Sequence, residues 1–385
     1  HDTTLRVQLL VKERMVATYS TFDELLRRLS LLASRRKLFD DELFETACIL
    51  GKLVVHCSEE SNEDGTAARS VARSRTRTAK SGTASMARSG GTSRTDHTAG
   101  KYLILIGKGF TAIGSNSLRL ELADTTDRPP RPGEWLQLEG KMYKISMVSK
   151  PADDGSVDVT IDHPLEVEGA TPPELQPGGS GETWVMLLCS SGGYNLDMQV
   201  LLRTMGAHEK VMQLLRLPVS ALPLPEELRT RAVLRAVYRV LKALVSGFPQ
   251  MQNDLVPSIP KMVEHVEKDL IAHDVTPTGC ITAVLRDNRS ACALMPLSAI
   301  RKFVQLAAKK QAPRFLRFLG EICRPAGVAI KRNCQLVAQA LSEKEEALLL
   351  FDDPAGLEER ERLIAENDHI NNPRGKLMYH IELIG

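Results

Sequence analysis

The stretch VLRAVYRVLKALVSGFP, residues 233–249, places Val233, Ala236, Val237, Val240, Leu241, Leu244 and Phe248 on one face of a helix, and Pro249 follows that helix. The same apolar spacing recurs downstream. Met262, Val263, Val266 and Leu270 form the next stripe, and Ile300, Phe303, Val304 and Ala307 form another before Pro313 breaks the chain. Phe315, Leu316, Phe318, Leu319 and Ile322 follow, then Ile330, Cys334, Val337, Ala338 and Leu341. Ser342-x-x-Glu345 reads as a capping box opening a further helix. Residues 184–384 are therefore predicted to be helical almost throughout.

Upstream, residues 5–57 carry the same signal. Thr21-x-x-Glu24 is a capping-box pattern beside Phe22, Leu25, Leu26, Leu29, Leu32 and Ala33, and a second helix runs through Leu43, Phe44, Ala47, Leu50, Gly51 and Val54. Ordering a backbone costs roughly 1–2 kcal/mol per residue, which one short apolar stripe does not offset alone. Each helix must pack against neighbours on both sides, which is the logic of an armadillo-like α-solenoid. The stripes show no strict sequence period, so an irregular helical bundle stays open.

Between these helical regions the composition changes twice. Residues 58–100 are Ser, Thr, Gly, Ala and Arg with almost no apolar content, and they are expected to be disordered. Between Arg69 and Arg94 there are basic residues and no acidic one, and Arg73-x-x-Thr76 and Arg75-x-x-Thr78 fit basic-directed phosphorylation; a solvated linker is the plainer reading. No aromatic side chains interleave with these cations to stack bases, so nucleic acid is not an expected partner.

Residues 101–168 switch to period-two alternation, with candidate strands Tyr102–Ile106, Ser117–Leu122, Glu134–Leu138, Lys141–Ser149 and Ser156–Ile161. Turn residues at Pro132-Gly133, Glu139-Gly140 and Asp153-Asp154-Gly155 separate them, which suggests a small barrel. Gly107-Lys108-Gly109 resembles part of a phosphate loop but has no following helix, so it is not read as a nucleotide site. Residues 169–183 form a Pro/Gly linker. The expected organisation is thus a helical segment (1–57), a basic linker (58–100), an inserted β module (101–168), a second linker (169–183) and a helical domain (184–385).

With 43% hydrophobic and 25% charged residues the chain has a globular composition, and a net charge of +2 argues against a coat for nucleic acid. The 385 residues allow two or three domains. No apolar run is long enough to span a bilayer. Cys48, Cys57, Cys189, Cys280, Cys292, Cys323 and Cys334 include no C-x-x-C pair, so they are expected to be reduced core thiols rather than zinc ligands. The chain starts at His1 and stops inside the apolar stretch KLMYHIELIG, so it reads as a fragment of something longer.

LLRTMGAHEKVMQLLRLP (residues 201–218) resembles the helix that opens a homology domain shared by inositol trisphosphate and ryanodine receptors. ALVSGFPQMQNDLV (243–256), RDNRSAC (286–292), PRFLRFLGEICRPAGVAIKRNCQLVAQAL (313–341) and KLMYHIEL (376–383) are similar to later segments of that domain, in order. A weaker echo lies in residues 5–33. Met251 and Ala326 depart from the family pattern and leave the subfamily open. The resemblance implies a tetrameric calcium-release channel of the endoplasmic reticulum membrane. This segment would belong to its cytosolic helical arm and relay conformational change from a ligand-binding core to the pore. Its partners would be other parts and subunits of that channel, with calcium conducted elsewhere. A free-standing helical-repeat scaffold is the alternative, and the flanking sequence separates the two.

No nucleophile–base pair, metal cluster or cofactor fingerprint is visible, so no enzyme, no cofactor, and no catalytic, cofactor-binding or metal-ligating residue is expected. Four places invite a functional reading and have a structural one. His208 and His380 read as packing residues, and Asp352-Asp353 before Pro354 as a boundary between helices. Lys331-Arg332, with Lys309 and Lys310, read as solvated helix faces that could form a basic patch.

Overall fold

The computed structural model describes residues 2–35, 37–60, 101–111, 115–123, 129–138, 141–152, 154–164, 181–218, 224–267, 277–348, 351–372 and 375–384. The chain opens with α1 (Asp2–Ala33) and α2 (Asp40–Cys57). Thr21 and Glu24 lie inside α1 and do not open a helix; continuous helical geometry from Asp2 overrides the local cap pattern. At α2 half of such a box forms: the Phe39 backbone N–H donates to the Glu42 carboxylate at 2.9 Å, and the Phe39 side chain offers no acceptor in return.

Strands β1 (Ser58–Glu60), β2 (Lys101–Thr111), β3 (Ser117–Leu122), β4 (Trp135–Leu138), β5 (Lys141–Val148), β6 (Ser156–Ile161) and β7 (Gly181–Tyr194) follow. They pair in the order β1-β7-β2-β3-β6-β5-β4, and a further β7–β4 pairing closes β2 to β7 into a six-stranded barrel. Closure leaves the barrel no free edge. Inside it Ile106, Leu118, Leu120, Leu136, Leu138, Ile145, Val157, Val159, Val185 and Leu187 form a separate core.

Two expectations need correction here. Residues 184–194 are strand, not helix: WVMLL has no polar alternation because Val185 and Leu187 fill the barrel while Trp184 and Met186 pack outward on the helical core. Ser58–Glu60, assigned to the linker, form β1 on Gly193 and Tyr194. The rest of that linker, with Thr76 and Thr78, lies outside the described residues, as do 165–180. Gly107 and Gly109 stand in mid-strand, so no phosphate loop exists there. A Cβ on Gly107 would lie 2.1 Å from the Glu121 carbonyl oxygen, and one on Gly109 would lie 2.6 Å from a Leu118 methyl. Close strand approach explains both glycines.

After the barrel come α3 (Leu196–Thr204), α4 (Ala207–Gln213), α5 (Leu224–Val245), α6 (Pro249–Leu255), α7 (Ile259–Glu267), α8 (Pro277–Leu285), α9 (Arg289–Ala293), α10 (Leu297–Lys310), α11 (Pro313–Cys323), α12 (Lys331–Ser342), α13 (Pro354–Ala365), α14 (Asp368–Asn371) and α15 (Lys376–Ile384). Ser342 ends α12, its hydroxyl donating to the Gln339 carbonyl, so the expected capping box there does not form. Asp353 caps α13 instead, accepting from the Gly356 N–H at 2.6 Å. Helices α2, α5, α8 and α11 pack successively, each on the next. One apolar core runs continuously from Phe22 through Leu50, Leu241, Val284 and Phe303 to Tyr379.

Candidate functional site

α5 and α8 turn directly into the shorter α6 and α9, α11 reaches α12 through residues 324–330, and one hydrogen bond recurs at each junction. The residue preceding the following helix folds its N–H back onto the last carbonyl of the helix before it. Phe248 donates to Val245 at 3.1 Å, Asn288 to Leu285 at 3.2 Å and Ile330 to Cys323 at 2.8 Å. Gly247, Asp287 and Ala326 adopt positive φ in these turns. Asn195 donates to Cys57 at 2.9 Å in the same manner. The α2–α3 turn is therefore a member of the series, and residues 58–194 occupy the place that Ser246-Gly247 and Arg286-Asp287 fill elsewhere.

Four residues after each cap stands a side chain that reaches the next junction. The Gln199 amide donates to Ala243 and Ser246 carbonyls at 2.6 and 2.9 Å. Gln252 repeats this on Ala283 and Arg286 at 2.9 and 3.2 Å. Both N–H bonds of each amide are used, on carbonyls that a helix end leaves without partners. At the third junction Cys292 holds the position, and Asn333 supplies the amide from the other side, donating to Cys292 and Ile322 carbonyls at 2.9 and 2.8 Å. Asn288 ties two units together, bonding Gln252 at 3.0 Å while its own oxygen caps α9. Gln199, Gln252, Asn288 and Asn333 are all buried. Sequence reading passed over these residues, because a buried amide in an apolar stripe has no local signature.

The barrel meets the helices along α2 and α5. The Arg239 guanidinium on α5 donates to the Leu103 carbonyl of β2, and Leu105 enters the helical core. Phe44 stands edge-on to Trp184 at 5.7 Å, and Lys108 lies over Phe44 at 5.1 Å. At Gly51 α2 faces β2, and a Cβ there would make an ordinary 3.6 Å contact with that of Ile104.

An open polar cleft of about 420 Å³ lies at the α3–α4 turn, lined by Arg203, Thr204, His208, Glu209 and Asp254. Arg203 and Asp254 pair across it at 2.6 Å. His208 is half-buried on the first turn of α4, and burial holds its imidazole below the usual 6.5. His380 is buried in α15, edge-on to Phe351 at 5.1 Å. Lys309 and Lys310 end α10, whereas Lys331 and Arg332 begin α12. None of the seven cysteines is in a disulfide among the described residues, and burial pushes Cys57, Cys280, Cys292 and Cys323 up to about 12. No group of side chains suited to a metal ion occurs among the described residues.

Taken together these features define a class: a mainly helical scaffold whose consecutive helix pairs are tied by buried amides, with a closed barrel inserted in one turn. Residues 189–350 match the family model of the RIH domain, the homology domain named for ryanodine and inositol trisphosphate receptors. The match starts inside β7 and contains every junction amide from Gln199 to Asn333. The resembling segments at residues 5–33 and 376–383 lie outside it. Among the described residues no helix is long and apolar enough to cross a membrane.

Proposed function

We propose that this chain is a cytosolic regulatory segment of an intracellular ligand-gated calcium-release channel of the endoplasmic reticulum, relaying conformational change from a ligand-binding core to the pore. The match of residues 189–350 to the RIH domain carries this reading. In it the helices form an armadillo-like solenoid, with α2, α5, α8 and α11 as successive rungs and the barrel as an insertion between the first rung and its partner helix. The junction amides support a relay. A rung that tilts carries its neighbour, because Gln199 and Gln252 fix the end of one long helix to the short helix of the preceding unit. Packed cores resist continuous deformation and move as bodies.

The test has two arms. The complete transcript should encode membrane-spanning helices downstream; one without them would leave a free-standing helical scaffold and end the channel reading. In the assembled channel, Gln252→Leu should shift the ligand concentration needed for calcium release while single-channel conductance stays unchanged. An unaltered dose response would end the relay reading.

A further inference from the structure

Two surfaces of this chain carry opposite charge around exposed aliphatic side chains. The first lies where the α8–α9 and α11–α12 junctions meet. Arg289 reaches the Ala329 carbonyl at 3.4 Å and Arg332 reaches the Ala293 carbonyl at 2.8 Å, which brings both junctions to one face. Arg324 and Lys331 stand exposed beside them, and Leu294 and Val328 protrude at 62% and 58% exposure. None of these four cations has a carboxylate partner among the described residues, although Arg27, Arg203, Arg317 and Arg362 are all paired. The acids nearby are Asp287 and Glu321, joined to each other through the Asp287 N–H.

The second surface is α13. Leu357, Glu361 and Ile364 recur at helical spacing on its exposed side, with Glu358 beside them. Glu358 and Glu361 have no cationic partner among the described residues, whereas Glu359 is held by Lys376 and Glu366 by Arg362. One surface thus has unpaired cations around two aliphatic side chains, and the other has unpaired carboxylates around two more.

We propose that the basic junction surface of one chain docks the acidic face of α13 on a second copy. Leu294 and Val328 would meet Leu357 and Ile364 inside a ring of opposite charges. Unlike patches that recognise each other make a contact that closes into a ring or extends, according to the rotation between copies. The attraction depends on salt, because the screening length falls from about 10 Å at 0.1 M to about 3 Å at 1 M. This contact does not rest on the relay reading.

Sedimentation of the chain into the high micromolar range, at low and high salt, tests it. Association at low salt that weakens at high salt is expected. R324E/K331E changes side chains that make no bond among the described residues, and E358K/E361K does likewise on α13; each should leave the chain monomeric with unchanged circular dichroism. Mixing the two variants should restore association, because the first keeps the acidic α13 face and the second keeps the basic junction surface, and the two reversed surfaces are complementary as well. A monomer at every concentration, or no restoration on mixing, overturns the proposal. So does binding of the monomeric chain to phosphatidylserine vesicles that R324E/K331E abolishes, which would assign the basic surface to acidic lipid.

Discussion

Asn333 has no exposed surface, and its amide serves carbonyls from two different helices, α9 and α11. Asn333→Ala leaves both without a donor, and a buried group so stranded costs about 1–3 kcal/mol. We expect a loss of about 2–3 kcal/mol in denaturant unfolding. Asn333→Asp should be worse at neutral pH, because a carboxylate there faces two carbonyl oxygens. A variant as stable as the parent would remove the junction amide from the account of stability. His208 gives a pH-dependent expectation. Burial holds its folded pKa below the unfolded 6.5, so the unfolded chain binds the proton more readily between the two values. Its contribution is therefore present above 6.5 and is lost as pH falls through that value toward the folded one. Glu209 and Asp254 oppose the shift, while Arg203 and Lys210 add to it. Urea midpoints at about pH 7.5 and about pH 5.5 should differ less in His208→Gln than in the parent; an equal difference would assign the dependence to other groups.

Among the elements, the barrel strands and the helices follow different rules. Alternation in SLRLEL and SVDVTI matches β3 and β6 at both ends, because one face of each strand fills the barrel and the other meets solvent. β7 lacks that alternation in the stretch that meets both β2 and the helices, where Trp184 and Met186 pack outward on the helical core while Val185 and Leu187 point in. Gly107 tests the barrel alone. Gly107→Ala puts a methyl against the Glu121 backbone, and overpacking of this kind costs about 1–3 kcal/mol. In a Trp184→Phe background the remaining tryptophan, Trp135, stands on barrel strand β4, so its fluorescence reports the barrel and far-UV circular dichroism reports mainly the helices. The variant should lower the fluorescence midpoint more than the dichroism midpoint. Equal shifts would mean that barrel and helices unfold as one unit.

For the whole molecule, the hydrogen bond from Asn195 to Cys57 makes the barrel removable in principle. Replacing residues 58–194 with a Ser-Gly turn should keep the helical signal per residue. The thermal midpoint should fall, because Arg239 loses the Leu103 carbonyl and the Gly51 face of α2 is bared. Collapse of the helical signal would show that the barrel is part of the core rather than an insertion. The sequence by itself determined that most of this chain is helical and that a β module interrupts it. Periods of 3.6 and 2 are written into the residues one element at a time, as in residues 233–249 and 156–161. It also carried the family resemblance over residues 201–383, of which 201–350 lie in the matched stretch, since leucine stripes and turn residues are local. Tertiary structure alone decided the rest. Whether WVMLLCSSGGY is strand or helix depends on which neighbours accept its backbone bonds. A buried Gln199 or Asn333 gains meaning only when the carbonyls it serves, distant in sequence, are brought within 3 Å.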